Sequence, residues 1–181
     1  MNKFKLNIDS LLQGQFNLKK INIAFVFQVN CPGCFMYGFP AMNKLYQQFK
    51  EEVGFIGIST AFEDFEHNNK ENTELLLSKG ITVGETKKYL SSRQIDTYLQ
   101  LPSFPIAFDK MSPTESFLTD KNLSEIRNRF TQSTTLSESE KQKWELRIRA
   151  HYRKYPVIAE PLPLINCVVR PVLLFLRKIM S

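Results

Sequence analysis

The order of apolar segments along this 181-residue chain predicts an α/β fold. Three short, nearly continuous apolar runs, at residues 21–29, 53–60 and 104–109, are typical of buried strands in a mostly parallel sheet. Segments with apolar residues at helical spacing lie between and after these runs. Because strands that alternate with helices pack as layers joined by right-handed crossovers, we expect an α/β sandwich.

The first predicted helix covers residues 35–52 and directly follows the first strand. Pro40 lies within it, and because proline lacks a backbone N–H, we expect a kink near the second turn. The remaining predicted elements are helices around 73–79, 85–99 and 122–130, the first of them ended by Gly80, and an edge strand or loop over 111–119.

A segment rich in Ser and Thr, residues 131–139, predicts a linker between two parts of the chain. The parts are a folded domain over 1–131 and a C-terminal extension over 132–181. From Lys141 onward nine basic residues stand against two acidic ones, 9 − 2 = +7, whereas residues 1–140 carry 15 − 16 = −1, so the basic charge of the chain lies in the extension. Any electrostatic attraction of a partner is therefore expected there.

The extension is predicted to begin with a helix over about 139–155, for which Ser137 and Glu140 form a capping-box pattern. An apolar segment over 162–180 follows. One interpretation packs the helix on the domain and leaves a solvated basic face. The other makes the extension an anchor on an anionic membrane surface, or an arm that binds a protein partner. No recognised nucleic-acid-binding motif accompanies the charge, so no nucleic acid is expected as a partner.

The location predicted from the sequence is the cytoplasm, with peripheral membrane association as the alternative. The first residues contain no apolar run of signal-peptide length. The longest apolar stretch, 162–176, includes Asn166, Arg170 and Pro171 and is shorter than the roughly 20 apolar residues of a membrane-spanning helix. Three cysteines are too few for a disulfide scaffold, and in the cytosol a C-x-x-C pair is more often catalytic or metal-binding.

The main chemical signal is Cys31-Pro32-Gly33-Cys34, at the junction of the first strand and the first helix. Cys31 precedes the first free N–H groups of the helix, whose partial positive charge favours a thiolate. Pro32 fits the first turn, where its missing donor costs nothing. Cys34 lies one turn further and can attack the mixed disulfide that Cys31 forms. The spacing predicts Cys31 as the nucleophile and Cys34 as the resolving thiol.

This segment resembles the active site of the thioredoxin superfamily, especially its members with a C-P-x-C motif. The run Phe104-Pro105-Ile106-Ala107-Phe108-Asp109 is similar to the x-P-T-x-x-x-D segment of the TlpA-like and peroxiredoxin-like branch. Over about residues 16–130 the resemblance implies a three-layer α/β/α sandwich. It also implies a cis-proline at Pro105, or less well at Pro102, facing the dithiol. Pro32, Gly33, Phe104 and Pro105 would then line the substrate groove.

The sequence departs from that family at three positions near the dithiol. Asn30 stands where thioredoxins commonly have Trp, Ile106 stands where Thr often follows the proline, and residues 21–29 contain no carboxylate. The family's buried carboxylate takes the proton of the second cysteine, so the base for Cys34 is not identified. Because a Pro-Gly pair offers no side chain to a thiolate, we expect only moderate acidification of Cys31.

These observations predict a thiol–disulfide oxidoreductase that needs no cofactor. Its partners would be protein or small-molecule disulfides or thiols, together with a reductant. The main alternative is a redox-inert interaction module with the same fold, since a fold alone does not fix function. A thiol peroxidase is less favoured, because Gln28 stands three residues before Cys31, where peroxiredoxins have Thr or Ser.

A metal site is a further alternative for the two cysteines. Structural zinc needs about four ligands, and His67 and His151, the only histidines, both lie in polar surroundings. An iron–sulfur cluster shared across a dimer would need fewer cysteines per chain, but is favoured slightly less still. No metal is therefore expected. The third cysteine, Cys167, lies in an apolar run and is predicted to be a buried, inert thiol.

Overall fold

The computed structural model describes residues 7–61, 63–130, 136–155, 157–159 and 172–177. Its backbone contacts divide the chain into two units. The first unit joins Met1–Lys110 with Val169–Ser181, and the second is Met111–Val168. The division near residue 131 that the sequence predicted stays a prediction. The first unit includes residues near the C-terminus because a strand there, Val172–Arg177, pairs with it.

The first unit is built on a five-stranded mixed sheet. Its strands are β1 (Ile8–Gln13), β2 (Ile21–Phe27), β3 (Val53–Ser59), β4 (Ile106–Asp109) and β7 (Val172–Arg177), in the order β1-β4-β3-β2-β7. The pairs β2–β3 and β3–β4 are parallel, whereas β1 and β7 are antiparallel to their neighbours. The predicted α/β fold with its three apolar strands is therefore confirmed. Strand β1 was not predicted, because its sequence IDSLLQ is half polar and only partly buried.

The helices of the first unit are α1 (Phe39–Phe49), α2 (Lys70–Lys79) and α3 (Gly84–Ser91), and a π-helical segment, Cys34–Gly38, leads into α1. Helix α2 ends at Gly80, which has the left-handed φ of 65° expected of a glycine cap. Helix α3 is shorter than the predicted 85–99. It ends at Ser91, with Ser92 as the C-cap, and Gln94 shortly after takes a left-handed φ of 62°, which a right-handed helix cannot continue.

The break expected at Pro40 takes the form of this π-helical segment. Phe39 N–H donates to Cys34 C=O, five residues earlier. Pro40 is the second residue of α1 and lies in its first turn, where its missing N–H is tolerated. Gly38 allows the segment to approach β2, because a Cβ there would lie 2.4 Å from Phe25 Cζ. One proline and one glycine thus shape the helix that carries Cys34.

The main core of the first unit lies between one sheet face and these helices, and aromatic rings fill much of it. Phe39 is fully buried and packs edge-on against Phe25, Phe27 and Phe35, with ring centroids 5.6, 4.9 and 5.2 Å away. Cys34 belongs to the same buried cluster. The resolving position predicted from the sequence is therefore part of the hydrophobic core.

The second unit contains β5 (Met111–Pro113), α4 (Thr114–Phe117), α5 (Asp120–Phe130), α6 (Glu138–Tyr152) and β6 (Val157–Ala159). Helix α6 confirms the predicted helix over about 139–155, and both capping-box bonds between Ser137 and Glu140 are present. Helix α5 confirms the predicted helix around 122–130 and begins two residues earlier, at Asp120. Thr119 Oγ1 accepts from Asn122 N–H.

Several basic side chains of this unit have acidic partners within it. Arg127–Glu145, Arg149–Asp120 and Arg153–Glu115 form ion pairs of 2.6, 2.6 and 2.8 Å. They tie α6 to α5 and α4, which favours the interpretation of the basic helix as a packed element with a solvated face. None of the helices among the described residues is long and apolar enough to cross a bilayer.

The apolar segment predicted over 162–180 is described only at Val172–Arg177, where it forms β7. Every residue of β7 has a backbone partner on β2, from Val172 opposite Val26 to Arg177 opposite Ile21. The predicted buried thiol, Cys167, lies outside the described residues. The anchoring role considered for this segment stays a prediction.

Candidate functional site

The dithiol lies where β2 gives way to the helical segment, as the sequence predicted. A turn at Val29 and Asn30 follows β2, and Pro32 begins the helical backbone. Cys31 is therefore placed at the helix N-terminus, beyond the C-terminal edge of parallel strands. Cys34 begins the π-helical segment and lies inside the core at 2% exposure, whereas Cys31 is partly exposed.

The two sulfur atoms are in direct contact. Cys34 Sγ–H donates to Cys31 Sγ over 2.9 Å, and Cys34 N–H donates to Cys31 C=O at the same distance. The space next to Gly33 is open, because a Cβ added there would have no neighbouring atom within 4 Å. The geometry presents one sulfur to solvent and keeps its partner beneath it.

The pKa of the Cys31 thiol falls from 9.0 to about 7. The largest cause is the hydrogen bond from the Cys34 thiol, and the backbone N–H groups of Cys34 and Gly33 contribute further. Burial and the charge of Glu63 act in the opposite direction. Near neutral pH an appreciable fraction of Cys31 is therefore thiolate, the nucleophilic form. This agrees with the moderate acidification expected from the sequence.

The pKa of Cys34 moves strongly upward. Its proton is held first by the hydrogen bond to Cys31 and second by burial, while the Gln28 backbone N–H slightly favours the thiolate. The two cysteines therefore have opposite tendencies, one to lose its proton and the other to keep it. Such a divergence is characteristic of paired groups that play different roles in one reaction.

Asn30, the residue that replaces the common Trp, makes three hydrogen bonds to two segments beside the dithiol. Its backbone N–H donates to Asn68 Oδ1 over 2.9 Å, and its Nδ2 donates to Asp64 Oδ2 over 3.0 Å. Its Oδ1 accepts from Glu85 N–H at 2.6 Å, in the first turn of α3. From the sequence, Asn30 was noted only as a departure from the family's usual Trp. No local pattern predicted its bonds to residues 34 to 55 positions away.

Tyr98 supports the helical segment from the other side. Its hydroxyl donates to Phe35 C=O over 2.7 Å in a buried setting, and its ring lies 4.9 Å from that of Phe35. Pro40, five residues after Phe35, has no N–H to offer this carbonyl in π-helical pairing. Burial raises the pKa of Tyr98 to about 12, so it remains a donor at physiological pH.

The structure does not bring Phe104 and Pro105 to the dithiol. Strand β4 runs parallel to β3 and β2, so Pro105 stands before its N-terminal end, whereas Cys31 follows the C-terminal end of β2. Pro105 lines a surface cleft with Val53 and Gly54 at the beginning of β3. Phe104 is 1% exposed and packs in the core.

The prediction of a cis peptide bond at Pro105 is also wrong. Among the described residues every peptide bond is trans. Pro105 C=O accepts from Gly57 N–H over 2.8 Å, which continues the parallel β3–β4 ladder through this residue. Pro102, the less favoured candidate, is buried, and its carbonyl accepts from Gln13 Nε2.

The strand that does begin beside the dithiol is β7. It is antiparallel to β2, and its first residue, Val172, pairs with Val26 near the end of β2 that leads to Cys31. Local sequence reasoning missed this strand because its partner lies near the other end of the chain. The available signal was the run of five consecutive apolar residues at 172–176, which is typical of a buried strand.

A buried carboxylate lies at the same sheet edge, although not on β2. Asp109 ends β4, is 2% exposed and accepts from Thr60 Oγ1 over 2.9 Å.

His67 is placed in the loop before α2, 3.6 Å from Glu66. Within the described parts of the chain, no group of three His, Cys, Asp or Glu side chains is arranged to hold a metal ion.

No family model and no curated protein matches the chain. Solved structures with similar backbones include a thiol-disulfide isomerase from Corynebacterium glutamicum, 21% identical with a TM-score of 0.40, covering 59% of this chain and 60% of that one. A thioredoxin-like superfamily protein is 24% identical with a TM-score of 0.38, covering 58% and 60%. An uncharacterised conserved protein from Geobacillus kaustophilus is 15% identical with a TM-score of 0.30, covering 51% and 39%. The chain spans 60% of the length of each of the first two structures.

Proposed function

We propose that this chain is a thiol–disulfide oxidoreductase. The observation that carries the proposal is the Cys31–Cys34 pair, with its sulfur atoms 2.9 Å apart at a helix N-terminus, one partly exposed and the other buried. Its substrates are disulfides of proteins or small molecules, and an external thiol reductant completes the cycle. Thiol–disulfide exchange needs no cofactor.

The first step is attack by the Cys31 thiolate on one sulfur of a substrate disulfide. A bond forms between Cys31 Sγ and that sulfur, the substrate S–S bond breaks, and the other substrate sulfur leaves as a thiolate. A pKa of about 7 supplies thiolate near neutral pH while keeping the sulfur basic enough to be a good nucleophile. This balance suits attack in either redox direction.

The second step is attack by Cys34 on Cys31 Sγ. It forms the Cys31–Cys34 disulfide, releases the second substrate thiolate and passes two electrons to the substrate. Cys34 must lose its proton first, and the largest cause of its raised pKa is its bond to Cys31. In the mixed disulfide Cys31 is no longer a thiolate and cannot hold the Cys34 proton in this way. The pKa of Cys34 therefore falls at the stage where its proton must leave. The reductant then restores both thiols by the reverse exchange.

The test is reduction of insulin disulfides by the full chain with dithiothreitol as the reductant. We expect wild type to accelerate the reaction and Cys31→Ser to abolish the acceleration. Cys34→Ser should lose turnover yet accumulate a mixed disulfide through Cys31, which non-reducing electrophoresis detects. If wild type does not accelerate reduction and Cys34→Ser forms no mixed disulfide, the result would instead support the redox-inert interaction module.

A further inference from the structure

We propose that Asn30 is a positioning residue that holds Cys31 in place for the thiolate to form. The inference rests on the proposed function, in which the Cys31 thiolate is the attacking group. It starts from the fact that Cys31 itself belongs to neither β2 nor the following helical segment. The backbone on its N-terminal side is therefore fixed by whatever holds Asn30.

Asn30 is held by an unusually complete set of bonds. Its backbone N–H, its side-chain amide and its side-chain oxygen all have partners, at 2.9, 3.0 and 2.6 Å. The amide must donate to the Asp64 carboxylate while the oxygen accepts from Glu85 N–H. A carboxylate in this position could accept but not donate, and an aliphatic side chain could do neither. The two contacts therefore require an amide of this length.

The partners of Asn30 are themselves fixed. Asn68 is 2% exposed, and its Nδ2 donates to Glu63 C=O over 2.8 Å. Asp64 takes a left-handed φ of 47°, and its carbonyl accepts from the N–H groups of His67 and Asn68. A non-glycine residue in that region is strained, so the loop is maintained by its bonds to its surroundings. Asn30 is thus bonded to a loop whose own conformation is fixed by hydrogen bonds.

Gly84 provides an independent sign that the structure accommodates Asn30 at this place. A Cβ on Gly84 would lie 2.3 Å from Asn30 Oδ1 and 2.7 Å from His67 Cδ2. Its φ of 51° is also in the left-handed region. Only glycine allows the start of α3 to come close enough for Glu85 N–H to reach Asn30 Oδ1.

The consequence for Cys31 follows from the short distances in the dithiol. The Sγ–Sγ contact is 2.9 Å, and the N–H groups of Gly33 and Cys34 also stabilise the thiolate. Hydrogen bonds weaken steeply with distance and angle, so a shift of the Cys31 backbone weakens all three together. Asn30 therefore influences the charge of Cys31 without touching its sulfur.

The test compares Asn30 with Asn43, a second asparagine whose side chain bonds to a segment distant in the sequence. Asn43 joins α1 to the segment around Leu101 and Ser103 by three hydrogen bonds, remote from Asn30 in the sequence. In reduced full-length chains, the rate of Cys31 alkylation by iodoacetamide is followed against pH and assigned by peptide mass. We expect Asn30→Ala to move the midpoint upward by about one pH unit, from about 7 to about 8, so that the thiolate fraction at pH 7 falls roughly fivefold. Asn43→Ala should keep the wild-type midpoint.

A second pair of variants applies if Asn30→Ala fails to fold. Gly84→Ala displaces an intact Asn30, whereas Gly14→Ala strains an equally left-handed glycine, with φ of 68°, near Pro105. We expect the upward shift in Gly84→Ala alone. Midpoints for Asn30→Ala or Gly84→Ala equal to those of their controls would overturn the inference. Because alkylation needs no substrate turnover, an inactive wild type would refute the proposed function while leaving this measurement decisive.

Discussion

Two sulfur atoms and the single proton between them account for the difference between Cys31 and Cys34. The proton stays on the buried sulfur, since burial penalises a second thiolate there. The exposed sulfur gains the hydrogen bond and is favoured as an anion. The sequence predicted which cysteine precedes the helix N-terminus. It did not predict the charged group that opposes this effect, because Glu63 follows a different strand.

Removing the charge of Glu63 should therefore acidify Cys31. We expect Glu63→Gln to lower the pKa of Cys31 below its wild-type value of about 7, by a few tenths of a unit, because an exposed charge is strongly screened. The measurement is the thiolate absorbance at 240 nm against pH. Glu66→Gln, three residues along the same loop, serves as the control and should leave the titration unchanged. A titration of Glu63→Gln that coincides with this control would rule out the effect.

The hydroxyl of Tyr98 contributes to the stability of the fold through its buried hydrogen bond to Phe35 C=O. Tyr98→Phe would leave Phe35 C=O buried without this donor, at a cost of about 1–3 kcal/mol in the free energy of unfolding. Urea denaturation measures the loss. Tyr37→Phe removes the same atom from a side chain that is 71% exposed and should be neutral. Equal stabilities for the two variants would contradict the assigned role.

At the scale of elements, the π-helical segment connects the Cys31–Cys34 pair to the aromatic core. Its extra residue per turn follows from Pro40, and Gly38 brings it against Phe25. The sequence predicted an interruption at Pro40. It could not predict the approach of Gly38, since the aromatic ring concerned lies on another element.

Two glycines in this region provide a direct comparison. Both Gly33 and Gly38 have right-handed helical backbones, with φ of −63° and −65°. We expect Gly38→Ala to destabilise the chain by about 1–3 kcal/mol through the overlap with Phe25. Gly33→Ala meets no atom within 4 Å and should be neutral or slightly stabilising. Thermal or urea denaturation of both variants decides the matter, and a neutral Gly38→Ala would refute the steric argument.

Strand direction explains why the proline motif was misplaced. The sequence around Pro105 has the composition of the family's segment, and composition does not determine whether a strand runs parallel or antiparallel to its neighbour. In the structure β4 is parallel, so its beginning lies at the sheet edge opposite the dithiol. The apolar runs therefore predicted the presence of β2, β3 and β4, whereas their order and direction depend on contacts between distant residues.

At the scale of the whole molecule, the acidified thiol makes stability depend on pH. The pKa of Cys31 is about 7 in the folded chain against an ordinary value of 9.0. As pH rises through this interval, the folded state loses its proton before the unfolded state does. This contribution is therefore absent below about pH 7, grows between 7 and 9, and is complete above 9.

We expect the reduced wild-type chain to gain stability relative to Cys31→Ser as pH rises from 7 toward 9. Urea denaturation at several pH values under reducing conditions measures the difference. Cys34 acts in the opposite direction only where its unfolded form begins to ionise, close to its ordinary value of 9.0. A constant difference between the two chains across this range would show that Cys31 is not acidified in the folded state.

The pairing of β7 with β2 has a consequence for the making of the protein. It joins Val26 to Val172 and Ile21 to Arg177, so its contacts close a loop that includes most of the chain. A ribosome adding about 5–20 residues per second needs on the order of ten seconds to pass from one strand to the other. Throughout that interval Cys31 and Cys34 are already part of the nascent chain, while β2 lacks the neighbour that β7 provides. The sheet next to these two cysteines is therefore completed long after the cysteines themselves are synthesised.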